Sequence, residues 1–150
     1  MRAMPEASEK RRVLVVDDDE KIRNIIRHVL EKAGFEVYTA PDGDAGVKAA
    51  VTSPPHAILL DVMMPVKDGF QTCGELKRLE RTRDVPVIFL TARHGEEPLT
   101  KAKYRGATAY LEKPFHNEAL VALVTEVIDA HERPEPAPAP AAPEKRKKKR

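Results

Sequence analysis

The chain has 150 residues, 41% apolar and 33% charged, the balance of one domain with a sizeable core. Its single cysteine, Cys73, excludes an internal disulfide and a cysteine zinc cluster, and the opening MRAMPEASEKRR lacks the apolar segment of a secretory signal. No run approaches the ~18 apolar residues of a membrane span, so the expected compartment is the cytoplasm. Net charge is +2, with seven cations and three acids in residues 132–150, a local +4 that leaves −2 for residues 1–131.

VLVV (13–16) is a short, β-branched apolar run and reads as a fully buried strand. In DDDEKIRNIIRHVLEKAG, residues Ile22, Ile25, Ile26, Val29, Leu30 and Ala33 recur at helical spacing. Acids open that helix and Gly34 follows it. FEVYTA (35–40) alternates as a strand, PDGD (41–44) reads as a turn, and a weaker helix is expected over Ala45 to Val51.

AILLD (57–61) is a second buried run. After MPVKDG a helix is expected from about Phe70 to Leu79, with Phe70, Cys73 and Leu76 on one face. VPVIFLTA (85–92) is a third buried run, EPLTKAKYRG a short helix closed by Gly106, and ATAYLEKP a last strand. HNEALVALVTEVIDAH carries an apolar stripe of Leu120, Leu123, Val124, Val127 and Ile128. A β-α unit thus repeats five times. The expected fold is α/β, a doubly wound, flavodoxin-like, five-stranded parallel sheet of order 2-1-3-4-5 with helices on both faces. Residues 1–10 read as an N-terminal extension, 11–131 as the domain, and 132–150 as a disordered Pro/Ala-rich tail with a basic end.

Ligands of such sheets bind at the carboxyl ends of the strands. There the sequence puts Asp17 and Asp18 after the first strand, Asp61 after the third, Thr91 after the fourth and Lys113, before Pro114, after the fifth. Each has an ordinary reading alone: Asp17, Asp18 or Asp19 as helix caps, with Asp19 expected to be one, Thr91 as a strand end, and Lys113 as a solvated end. Five polar groups converging from four strands make a phosphate site the better joint reading. Three carboxylates sharing a pocket call for a cation, and an all-oxygen set suits Mg²⁺, or Mn²⁺ in its place. An aspartate there can act as a nucleophile toward phosphorus.

VLVVDDDE, ILLDVMMPVKDGF, VIFLTA and GATAYLEKPF resemble the motifs of bacterial two-component response-regulator receiver domains, over about residues 11–131. The spacing agrees: Asp61 lies 43 residues after Asp18, and Lys113 lies 22 after Thr91. The resemblance implies a phosphoacceptor signalling domain rather than an enzyme, of the stand-alone type with no dedicated DNA-binding domain. Asp61 would take a phosphoryl group from a sensor histidine kinase or a histidine phosphotransfer protein. Asp17, Asp18, Asp61 and the backbone carbonyl of Met63 would hold Mg²⁺, and Thr91 and Lys113 would bind the phosphoryl oxygens. Thr91 and Tyr110 would form the switch, acting on a downstream protein through the fourth helix, fifth strand and fifth helix. Met63 and Arg93 would tune the lifetime of the acyl phosphate.

Two other readings compete. VVDDDE also fits the opening of haloacid-dehalogenase-like phosphatases, with Asp17 as nucleophile and Asp19 as general acid, but this leaves Asp61 unexplained. A phosphate-independent interaction domain would not need the complete residue set. Cys73 reads as a core residue, and the histidines show no ligand spacing. The basic end, without interleaved aromatics, reads first as a solvated tail; its charge also suits an acidic protein, anionic lipid or nucleic acid.

Overall fold

The computed structural model describes residues 10–91 and 106–132. Five strands, β1 (Arg12–Val16), β2 (Glu36–Ala40), β3 (Ala57–Asp61), β4 (Val87–Thr91) and β5 (Ala109–Glu112), form one sheet of order β2-β1-β3-β4-β5. Every pairing is parallel. Four described helices accompany them: α1 (Glu20–Lys32), α2 (Gly43–Thr52), α3 (Gly69–Arg78) and α4 (Asn117–Glu132). The expected helix over EPLTKAKYRG, apart from Gly106, lies outside the described residues, as do residues 1–9 and 133–150.

The central strands are apolar on both sides because each side has its own core. Val13, Val15, Leu59, Ile88 and Leu90 pack with Ile26 and Leu30 of α1 and Leu120, Val124 and Ile128 of α4. Leu14, Val16, Ile58, Leu60 and Phe89 pack with Ala50 of α2 and Cys73 and Leu76 of α3. The two-residue period of a strand splits one apolar run between two helical layers. Phe70 meets Phe89 edge-on, with ring centroids 5.2 Å apart.

Four expectations need correction. Ile25 is half exposed although it shares helical spacing with Ile22, Ile26 and Val29, because only the stripe through Ile26 and Leu30 meets the sheet. Gly43 and Asp44 are already helical rather than turn: Asp42 is the N-cap of α2, accepting from the Ala45 N–H at 2.8 Å. Glu132, assigned to the tail, completes α4. Helix α3 starts one residue early, at Gly69, where Asp68 and Gln71 form a capping box.

At the end of the sheet away from the strand tips, α4 is fastened to β1. Arg11 pairs with Asp129 at 2.7 Å and with Glu132 at 3.2 Å. His56, which showed no role in the sequence, accepts the Arg12 N–H on Nδ1 at 2.9 Å and places Nε2 3.7 Å from Glu132.

Candidate functional site

Strand ends position the site. Asp17 follows β1, with its N–H donating to the Ala40 carbonyl at 3.2 Å, so its backbone still runs with the sheet. Its side chain is fully buried. One carboxylate oxygen accepts the Asp19 N–H at 2.9 Å, and the other lies 3.2 Å from Lys113 Nζ. Asp18, next in sequence, is exposed. Asp19 caps α1, accepting from the N–H groups of Lys21 and Ile22. Asp61 ends β3, is 4% exposed, and its Oδ1 lies 3.3 Å from Lys113 Nζ.

Carboxylate oxygens of Asp17, Asp18 and Asp61 come within 4.8 Å of one another. Burial, and then the charge of Asp17, push the Asp61 carboxyl up to about 6, against the pull of Lys113. Burial alone would lower the Lys113 pKa, but the charges of Asp61 and Asp17 outweigh it and hold the ammonium protonated. One ammonium therefore faces a surplus of negative charge. Three hard oxygen donors with a net deficit of positive charge fit a divalent ion of the Mg²⁺ class.

Thr91, the last residue of β4, is buried, and its carbonyl accepts the Lys113 N–H at 2.7 Å, which ties the fourth and fifth strand tips together. The Lys113–Pro114 peptide is cis. Tyr110 stands on β5 opposite Phe89 in register and is 58% exposed. Met63 is exposed, and its N–H lies 3.4 Å from Asp61 Oδ1. Arg93 lies outside the described residues.

Sequence reasoning missed two contributors. Arg23 on α1 donates to the Asp17 carbonyl at 2.8 Å, fixing the peptide between the first two acids. Gly69 sits so close to β3 that an added Cβ would overlap the Asp61 carbonyl oxygen and stand 2.8 Å from Val62 Cα. Its N–H donates to the Val62 carbonyl at 2.9 Å. The glycine after Asp68 was visible in the sequence, but its approach to Asp61 was not.

A family model of the response regulator receiver domain matches residues 13–125. The chain belongs to the response-regulator receiver family. The phosphate regulon transcriptional regulatory protein PhoB of Escherichia coli is 42% identical over 118 residues, covering 79% of this chain and 52% of that protein. Protein PilG of Pseudomonas aeruginosa is 38% identical over 122 residues, covering 81% of this chain and 90% of PilG. Among solved structures, the chemotaxis protein CheY4 of Vibrio cholerae matches with a TM-score of 0.73 at 34% identity, over 79% of this chain and 98% of that one. The chain spans about half the length of the curated relatives it matches first.

Receiver domains are the phosphorylation-dependent modules of two-component signalling, and this receiver has their sheet order and an acid cluster at its strand tips. The phosphatase alternative finds no support. Its general acid, Asp19, is occupied as a helix cap. Phosphatases of that kind also need an acidic pair at a strand end after the lysine, whereas Glu118, Glu126, Asp129 and Glu132 all lie on α4, with Asp129 paired to Arg11 at the far end of the sheet. Among the described residues, no helix is long and apolar enough to cross a membrane.

Proposed function

We propose that this receiver accepts a phosphoryl group on Asp61 from a phosphohistidine of a sensor kinase or phosphotransfer protein and changes its protein contacts in response. The observation that carries the reading is the meeting of Asp17, Asp18 and Asp61 carboxylates within 4.8 Å, with Lys113 between Asp17 and Asp61.

Asp17, Asp18, Asp61 and the Met63 carbonyl would hold the divalent ion. When bound, a Mg²⁺-class ion supplies the charge that lets the carboxylates share the pocket and that offsets the negative phosphoryl oxygens. The rest belongs to the chain. The carboxylate form of Asp61 is the nucleophile: an Oδ lone pair attacks phosphorus, an O–P bond forms, and the P–N bond to the donor imidazole breaks with its electrons left on nitrogen. An Asp61 that ionises near pH 6 is anionic at neutral pH and relieves its crowding when that charge moves out onto the phosphoryl group. Lys113 is already aimed at Asp61 and follows the charge outward. The Thr91 hydroxyl, at the neighbouring strand tip, supplies a further donor to the phosphoryl oxygens.

The change is then read on β5 and α4. Tyr110 lies three residues before Lys113 on β5, the strand next to Thr91, so movement of Thr91 toward the phosphoryl group gives the ring space to turn inward. Output is binding of a partner protein at this face, or transfer of the group to a phosphotransfer protein. Met63, two residues after the acceptor, is an exposed thioether that cannot orient a hydrolytic water, so the acyl phosphate decays slowly; Arg93 is the second residue assigned to lifetime.

The deciding experiment is incubation with Mg²⁺ and acetyl phosphate, followed by mapping of the hydroxylamine-sensitive adduct. The reading requires the adduct on Asp61, dependence on the divalent ion, and loss in Asp61→Ala. An adduct on Asp17, or none, overturns it.

A further inference from the structure

The turn that leaves the acceptor strand is held by an unusual arrangement. The Pro65 carbonyl accepts the Lys67 N–H at 2.7 Å, closing a three-residue turn. Val66, at its centre, has φ 68, a left-handed conformation that β-branched residues resist. Its side chain is fully exposed, so burial gives nothing back. Such a turn persists only if its flanks hold it.

One flank is Gly69, bonded to the Val62 carbonyl. The other is the Lys67 side chain. Its Nζ lies 2.6 Å from Asp44 at the start of α2 and also bonds Glu75 on α3. The Lys67 side chain is only 20% exposed. Its stem runs over Gly43, where an added Cβ would stand 3.1 Å from the Lys67 Cδ. Two carboxylates from two helices therefore converge on one ammonium that belongs to the turn.

We propose that Lys67 is a positioning residue for the phosphorylation site, a latch that pins the 63–69 turn to α2 and α3 and so holds the Met63 peptide beside Asp61. This rests on the reading of the site given above, in which the Met63 carbonyl is a ligand of the divalent ion. The ion pairs contribute little to overall stability at this degree of exposure. Their effect is local, because they oppose the tendency of Val66 to relax out of the left-handed region.

The test compares the full chain with Lys67→Met, which keeps the stem and removes the charge, and with Lys67→Arg, which keeps the charge. Three quantities are measured: Mg²⁺ affinity by calorimetry, amide exchange at Lys67 and Gly69, and the urea midpoint without metal. Lys67→Met weakens Mg²⁺ binding about threefold to fivefold, the scale of one or two partly exposed ion pairs. It also speeds exchange at Lys67 and Gly69 and leaves the urea midpoint nearly unchanged. Lys67→Arg restores affinity and protection. At about 1 M salt, where charges are screened within ~3 Å, the wild type approaches Lys67→Met. Unchanged Mg²⁺ affinity and unchanged exchange in Lys67→Met overturn the latch. If the wild type and Asp61→Asn bind Mg²⁺ equally, the site reading fails instead, and the exchange comparison still decides the latch.

Discussion

Asp61 is a site where the fold works against itself, and the conflict can be measured. Its carboxyl ionises at about 6 rather than at 3.8, because burial and Asp17 disfavour the charge more than Lys113 favours it. At neutral pH a shift of that size corresponds to roughly 3 kcal/mol of penalty on the folded, ionised protein. Asn has the shape of the carboxyl group without its charge. Asp61→Asn is therefore expected to stabilise the metal-free protein at pH 7.5 by about 1–3 kcal/mol, the lower figure allowing for the cost of burying the amide NH₂.

The sign of the pH dependence follows. The folded state holds the Asp61 proton more tightly than the unfolded chain, so its contribution to stability is fully present below pH 3.8. It is lost as pH rises through about 6. The gap between variant and wild type should therefore be open at pH 7.5 and close toward pH 4. Urea unfolding followed by circular dichroism in EDTA measures it. Adding Mg²⁺ should stabilise the wild type by mass action and Asp61→Asn far less. The reasoning is refuted if the variant is the less stable protein in EDTA at pH 7.5, or if its advantage does not shrink on acidification.

Gly69→Ala drives a methyl group into the Asp61 carbonyl; a loss of about 1–3 kcal/mol in urea unfolding is expected, with acetyl-phosphate labelling reduced. Val66→Gly releases the left-handed strain at an exposed position, and the same assay should show a gain of about 0.5–1 kcal/mol after the entropic penalty of glycine. Asp68→Ala removes the capping box of α3 and should cost about 1 kcal/mol. Replacing Met63 with Asn or Glu should speed decay of the phosphorylated protein, read as loss of the adduct over time; an unchanged rate removes Met63 from control of lifetime.

The strand tips were legible in the sequence because each buried strand is a short apolar run that ends in a polar residue. The alternation of Val13 to Val16 between two cores requires helices on both faces, and two-sided burial forces the polar groups to the ends. Helix faces were less legible. Ile25 shares its spacing with core residues, but the stripe that meets the sheet is narrower than the apolar set. Gly43 and Asp44 read as a turn because glycine is a poor helix former, although Asp42 supplies a cap strong enough to begin the helix there. Contacts of long side chains were not legible at all. Arg23 reaching the Asp17 carbonyl, and Lys67 reaching Asp44 and Glu75, depend on how helices sit relative to loops, which no local pattern encodes. The same holds for the different exposure of the adjacent Asp17 and Asp18.

The ion pairs of Arg11 with Asp129 and Glu132 give the last helix a fixed pivot. Its opposite end begins four residues after Lys113. Between its two ends the helix is seated on the sheet by Leu120, Val124 and Ile128, all fully buried. On the proposed reading of the site, a shift at the lysine would reach α4 first at its Asn117 end, while the Glu132 end stays tied to Arg11.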